Sequence, residues 1–432
     1  MVNVNAKSGD NVKVITEDEQ YEGVVIPRPE LLGDDFLVLK LDSGYNIGIE
    51  AKKIKKVETL KKGKDVKKVI RKKLKHNKNL PTVSILSFGG TIASKVDYKT
   101  GGVHADYTAE DFVEMMPHLE KVANLRARKV MGVMSEDMSP EDWKVMAREI
   151  GKELKDDKVD GVVVSQGTDT LHYSSAAMSF FLQDVGKPVV LTASQKSIDR
   201  GSSDAFMNLY CAVVAAGKFE GGVVGTCMHG SMSDDYCLLI RGTKVRKMHT
   251  SRRDAFRPVG EEAIAKISAE GKIEILNNNY LRSGESKVKI ESDFEGKTGL
   301  IYVYPGMNPG ILDYYVEKKY KGLVIAATAL GHVPTIDDKY SLLDKIKKLI
   351  KNGCSVVIST QTTYGRVHPY VYTNLRKLSV QLDCIFVEDM MSEVAYVKLG
   401  WVLAQGKGVK DKMLTNYAGE ITERSDSKSF LG

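Results

Sequence analysis

Three short stretches hold residues suited to nucleophilic attack on a carbonyl. In LSFGGTIAS an apolar run ends in Gly89-Gly90 and delivers Thr91. Two glycines permit backbone geometry that other residues resist, so the Thr91 hydroxyl can face a pocket while nearby N–H groups face a developing oxyanion. The same letters also describe an ordinary tight turn. GVVVSQGTDT repeats the construction, with Gly167-Thr168-Asp169-Thr170 following its apolar run at once. A hydroxyl beside a carboxylate can orient a water or a lysine, and it can equally cap the helix that follows. In the third stretch, IRGTKVRKMHTSRRDAF, Lys244, Arg246, Lys247, Arg252 and Arg253 crowd together. One lysine buried near Asp169 would serve as base or charge partner, since burial lowers a lysine's pKa while a carboxylate opposes that shift. Spacing does not say which lysine, and a solvated basic loop fits the letters as well.

The elements that must position these groups read as alternating strands and helices. From Pro81 onward, TVSILSF, GVVVSQ and PVVLTAS are apolar without polar alternation, and the helix-length segments PEDWKVMAREIGKELK and TLHYSSAAMSFFLQDV separate them. Such strands belong to a parallel sheet covered on both faces, and open parallel sheets bind ligands at the carboxyl ends of their strands. The reading is a doubly wound α/β fold. From about Thr298 the grammar recurs in GLIYVYPGM, GLVIAATA, YSLLDKIKKLIKNG, CSVVISTQ and CIFVED. The intervening residues 258–297 are polar and irregular, and a domain boundary is expected there.

The first sixty residues differ. NVKVIT, YEGVVI, FLVLKLD, YNIGIE and IKKVE are short alternating runs between turn-forming GD, RPELLGDD and DSG, which predict a small SH3-like or Tudor-like β-barrel. The expected organisation is therefore a barrel over 1–60, a basic linker over 61–80, and α/β domains over 81–295 and 296–432.

Composition bounds what remains. With 432 residues and 42% hydrophobic content, the chain can bury sizeable cores. No leader-like start and no eighteen-residue apolar run is present, so a cytoplasmic protein is expected. Residues 51–80 carry +12 of a total of +7, leaving −5 on the other 402. Such a run attracts phosphate or simply stays solvated. Five cysteines show neither CxxC nor zinc-finger spacing. Cys227, in GTCMHG, is read as a buried structural thiol and not as a nucleophile, because His229 stands where a glycine two after a nucleophile would be. Gly296-Lys297-Thr298 imitates the end of a P-loop, but Glu291 occupies the first required glycine position.

The order GGTIA, SxDM, GTDT and VxK-x-x-T closely resembles the asparaginase/glutaminase family of threonine amidohydrolases. The resemblance implies two asparaginase-like doubly wound α/β domains, with Thr91 as nucleophile and Tyr98 as the tyrosine that follows it. Thr168, Asp169 and Lys247 would form a second Thr-Asp-Lys group. Lys247 is preferred to Lys244 because it lies two after Val245 and three before Thr250. Ser135 would hold the substrate's α-carboxylate and amino group, with Glu136, Gly90 and Gly167 completing the substrate contacts. Glu136 departs from the glutamine common in simple asparaginases.

The barrel, the basic linker and the string VRKMHTSRRDAF are similar to the D-subunit family of archaeal glutamyl-tRNA(Gln) amidotransferases. This implies hydrolysis of an amide donor, glutamine or asparagine, in a homodimer that joins an E subunit in a heterotetramer, tRNA(Gln) held mainly by that partner, and ATP and Mg used by the partner. No cofactor and no metal are expected in this chain. The alternatives are a stand-alone cytoplasmic L-asparaginase, and a tRNA-binding module with a degenerate core. His332, in ALGHVP, is read as a structural loop histidine.

Overall fold

The computed structural model describes residues 6–7, 9–26, 36–41, 46–62, 76–90, 95–96, 103–104, 112–113, 115–196, 202–282, 288–336, 339–425 and 429–430. Thr91, Tyr98 and most of the 61–80 segment lie outside the described residues. The chain forms two compact units, one of Met1–Lys75 with Ser94–Asp106 and one of His76–Ala93 with Tyr107–Gly432.

The first unit holds β1 (Asn11–Thr16), β2 (Gln20–Ile26), β3 (Phe36–Leu41), β4 (Asn46–Glu50) and β5 (Ile54–Lys61). They make an antiparallel sheet in the order β4-β3-β2-β1-β5, with a 3-10 turn at Ala51–Lys53 joining its two end strands. Period-two alternation puts Val12, Val14, Val25, Leu39, Ile49 and Ile54 into one small core. The β-rich module expected from the sequence is present.

In the second unit the chain runs through β6 (Thr82–Ser87), β7 (Asn124–Lys129), helix α1 (Pro140–Leu154), β8 (Gly161–Ser165), α2 (Leu171–Phe181), β9 (Val189–Thr192), α3 (Ala205–Lys218) and β10 (Val224–His229). Strands β7, β6, β8, β9 and β10 are mutually parallel neighbours. β6 and β8 are buried along their whole length, which is why their sequences show no alternation. A capping box between Ser139 and Asp142, followed by Pro140, fixes the start of α1.

β11 (Tyr236–Arg241) then reverses direction, and a two-stranded ribbon of β12 (Val245–Lys247) and β13 (Phe256–Pro258) follows it. β14 (Ala265–Ser268) and β15 (Ile273–Ile275) add two further antiparallel strands to the sheet edge. Residues 258–297 are therefore less irregular than their polarity suggests, because β14 buries only alternate residues and β15 is the exposed end strand, so both need few apolar residues.

The last part is a parallel four-stranded sheet of β16 (Thr298–Tyr302), β17 (Gly322–Ala327), β18 (Ser355–Thr360) and β19 (Ile385–Met391), with α4 (Ile311–Glu317), α5 (Leu343–Lys351) and α6 (Ser392–Ala404). α6 packs on α2, with Phe180 stacked on Trp401 at 5.6 Å. One apolar core runs from Leu86 and Trp143 through Phe180 to Val324 and Trp401. Gly296-Lys297-Thr298 leads into β16 and not into a helix, with the Thr298 hydroxyl donating to Glu295 O at 2.7 Å.

Candidate active site

β6 and β8 lie side by side and end at the same sheet edge, so the loops that follow them meet. Gly89 and Gly90 take φ of +117° and +81°, in the left-handed range that glycine adopts most readily. A Cβ on Gly89 would come within 2.2 Å of Val133 O, and one on Gly90 within 2.4 Å of Gln166 C and Gly167 N. A Cβ on Gly167 would stand 2.7 Å from Ser135 Oγ. Backbone therefore packs against backbone where the three loops converge.

Ser135 joins two of them. It is buried; its Oγ accepts the Asp169 N–H at 3.3 Å, and its carbonyl accepts the Thr170 hydroxyl at 2.5 Å. Its hydroxyl also lies 3.5 Å from Glu136 Oε2. Thr170, not Thr168 or Asp169, is the N-cap position of α2, and no side chain makes a cap bond there. That leaves Thr168 and Asp169 unspent on capping.

Lys247 meets them from the β12 ribbon. Its Nζ donates to Thr168 Oγ1 at 2.8 Å and to Asp169 Oδ1 at 2.7 Å, and Thr168 Oγ1 lies 3.4 Å from Asp169 Oδ1. The bond from Lys247 holds the Asp169 carboxyl below its ordinary value, with burial opposing, so at neutral pH an anionic carboxylate stands beside the hydroxyl. Lys244, the other lysine considered, is fully buried and pairs with Asp389 at 2.7 Å.

His172 was not recognised in the sequence. It lies three residues after Asp169 in the first turn of α2, and that helical spacing was the available signal. It lines a small cleft with Asp169, Lys247, Met248, His249 and Thr250. Its Nδ1 is sealed from solvent and has no hydrogen-bond partner among the described residues. Burial, reinforced by the charges of Arg246 and Lys247, pushes its pKa down to about 4. An unfolded histidine titrates near 6.5, so between those values the unfolded chain binds more protons and stability falls as pH falls. We expect this group to cost roughly 2 kcal/mol of stability between pH 7 and pH 4.5. His172→Phe should lose correspondingly less over that interval in urea unfolding, and an unchanged pH dependence would contradict the assignment.

The remaining candidates have structural surroundings. Cys227 is fully buried within β10, where burial pushes its thiol up. His332 Nδ1 accepts from Asn374 Nδ2 at 2.8 Å beside Tyr372. Among the described residues no cluster of three His, Cys, Asp or Glu could hold a metal. None of the described helices is long and apolar enough to cross a membrane.

A hydroxyl, a carboxylate and an amine thus meet at the carboxyl edge of a doubly wound sheet. Residues 82–281 match the family model for the asparaginase N-terminal domain, and 297–413 that for the glutaminase/asparaginase C-terminal domain. A solved L-asparaginase from Thermococcus kodakarensis is similar, with TM-score 0.70 and 27% identity over 79% of this chain and 100% of that one. Residues 6–60 match the GatD N-terminal domain. Relatives in T. kodakarensis (46% identity over 98% of this chain and 96% of the relative) and Pyrococcus furiosus (44%; 98% and 97%) are D subunits of glutamyl-tRNA(Gln) amidotransferase. The chain belongs to this family of amidotransferase D subunits.

Proposed function

We propose that this chain hydrolyses glutamine and supplies the ammonia to a partner subunit that converts Glu-tRNA(Gln) to Gln-tRNA(Gln). The observation that carries the chemistry is the Lys247 ammonium bonded to both Thr168 and Asp169. Family membership along the whole chain, N-terminal module included, carries the transfer.

Thr91 attacks the amide carbon. Its proton passes, by way of Tyr98 or the Thr168-Asp169-Lys247 group, to the departing nitrogen; the C–N bond breaks, and an acyl-enzyme and ammonia result. Water then cleaves the ester, releasing glutamate and restoring the hydroxyl. Backbone N–H groups near Gly90 and Gly167 are the oxyanion donors, while Ser135 and Glu136 hold the α-amino and α-carboxylate groups. The chain itself carries no cofactor in this scheme. ATP and Mg are used by the E subunit, which also holds most of the tRNA, in a cytoplasmic heterotetramer built on a homodimer of this chain.

Likeness to a free-standing asparaginase favours one second reading, an L-asparaginase that needs no partner. Ammonia release from glutamine and from asparagine, measured for the chain alone and then with the E subunit and mischarged tRNA, separates the two. We expect glutamine hydrolysis to rise on assembly. Full activity of the isolated chain on asparagine, unchanged by the partner, would favour the second reading. Thr91→Ala should abolish hydrolysis in either case, and retained activity would move the nucleophile to Thr168.

A further inference from the structure

The lysine of the site stands on a strand that is gripped from behind. In the β12–β13 ribbon the ladder runs Val245 to Pro258, Arg246 to Arg257 and Lys247 to Phe256, and Val259 N extends it by donating to Lys244 O at 2.8 Å. Successive side chains of a strand point to opposite faces. One face carries Val245, in the core, and Lys247, on Thr168 and Asp169. The other carries Lys244 and Arg246, and both meet carboxylates of the C-terminal lobe: Lys244 Nζ lies 2.7 Å from Asp389 Oδ2, and Arg246 Nε 3.1 Å from Glu393 Oε1.

Asp389 is built into place. The preceding Glu388 has φ of +55°, and the β18–β19 ladder shifts register there. Such a bulge re-aims the side chain that follows it. Asp389 also accepts the Thr422 N–H at 2.9 Å and the Thr422 hydroxyl at 2.6 Å. Burial pushes its carboxyl up, but the Lys244 charge and these bonds outweigh that and hold it below the ordinary value.

We propose that Asp389 is a positioning residue for the hydrolytic reaction, fixing through Lys244 the strand that presents Lys247 to Thr168 and Asp169. The C-terminal lobe thereby supports the active site without touching substrate. This rests on the proposed amide hydrolysis, in which Lys247 takes part.

Asp389→Asn leaves Lys244 buried without its counter-charge, so that variant alone would confound position with stability. Lys244→Met/Asp389→Leu removes both charges at similar volume, a change that is often neutral or stabilising. Leu349→Ala instead opens a cavity in the separate core around α5, away from Asp389 and Lys244. A displacement of 1 Å in a catalytic group can cost roughly 100-fold.

The full chain with its partner subunit should therefore show kcat for glutamine hydrolysis lowered roughly 10- to 100-fold in both Asp389 variants, with KM within about 2-fold of the parent. The double variant should recover thermal stability without recovering kcat. Leu349→Ala should lose stability and keep kcat. In crystals of the Asp389 variants the Lys247–Asp169 separation should open beyond hydrogen-bond reach. Recovery of kcat together with stability, an equal loss of kcat in Leu349→Ala, or an unmoved Lys247 would overturn the proposal. If the parent hydrolyses neither glutamine nor asparagine, the functional reading fails, and the crystallographic separation still decides this one.

Discussion

Replacing Lys247 by methionine should lower kcat for amide hydrolysis by roughly 1,000-fold or more while leaving the fold intact, because on the proposed function it removes a group that acts mainly in the reaction. Lys247 Nζ is the one described group bonded to both the Thr168 hydroxyl and the Asp169 carboxylate. Methionine keeps most of the side chain's length and packing. Asp169 is 62% exposed at its side chain, so water replaces the lost partner and the stability cost should stay within about 1 kcal/mol. With Lys247 gone, the Asp169 carboxyl should titrate closer to its ordinary value, since the lysine bond is the main cause of its depression. Steady-state ammonia release together with urea unfolding checks both halves. A kcat within tenfold of the parent would remove Lys247 from the chemistry.

Gly90→Ala should be nearly as damaging by a different route. At φ of +81° an alanine is strained in any surroundings, and here its Cβ would lie 2.4 Å from the backbone of Gln166 and Gly167. Those atoms begin the loop that carries Thr168, so relief of the clash must separate the two loops of the site. We expect a loss of roughly 2–4 kcal/mol and loss of hydrolysis. Gly296→Ala is the matched control, because a Cβ there meets nothing within 4 Å. Thermal melting of both variants beside the parent measures the difference, and an unaffected Gly90→Ala would show that the loops are not held as described.

How much of this was legible in the sequence depended on whether the signal was local. β6 and β8 announced themselves as unbroken apolar runs, because strands buried on both faces leave no room for polar alternation, and the loops after them carried Gly90 and Thr168 in plain view. Which lysine joins Thr168 could not be read from composition: Lys244 and Lys247 stand three residues apart in one basic stretch, and only strand alternation, with opposite faces committed to different lobes, separates them. Resemblance to a family selected Lys247, and the geometry brings Lys247 to Thr168 and Asp169. β14 and β15 stayed hidden because short strands with at most one buried face look like loops. Asp389 and Glu393 stayed hidden for a stronger reason, since their partners lie 145 and 147 residues earlier in the chain and no window of sequence contains both.

The central claim is that the nitrogen released at this site ends in aminoacyl-tRNA. Glutamine labelled with 15N at its side-chain amide should be supplied to the chain with its partner subunit, ATP, Mg and Glu-tRNA(Gln), in the presence of excess unlabelled ammonium. Our account predicts that the glutamine recovered from the tRNA carries the label with little dilution, and that the label disappears in Lys247→Met. Hydrolysis of glutamine with only unlabelled nitrogen in the tRNA-bound product would contradict it.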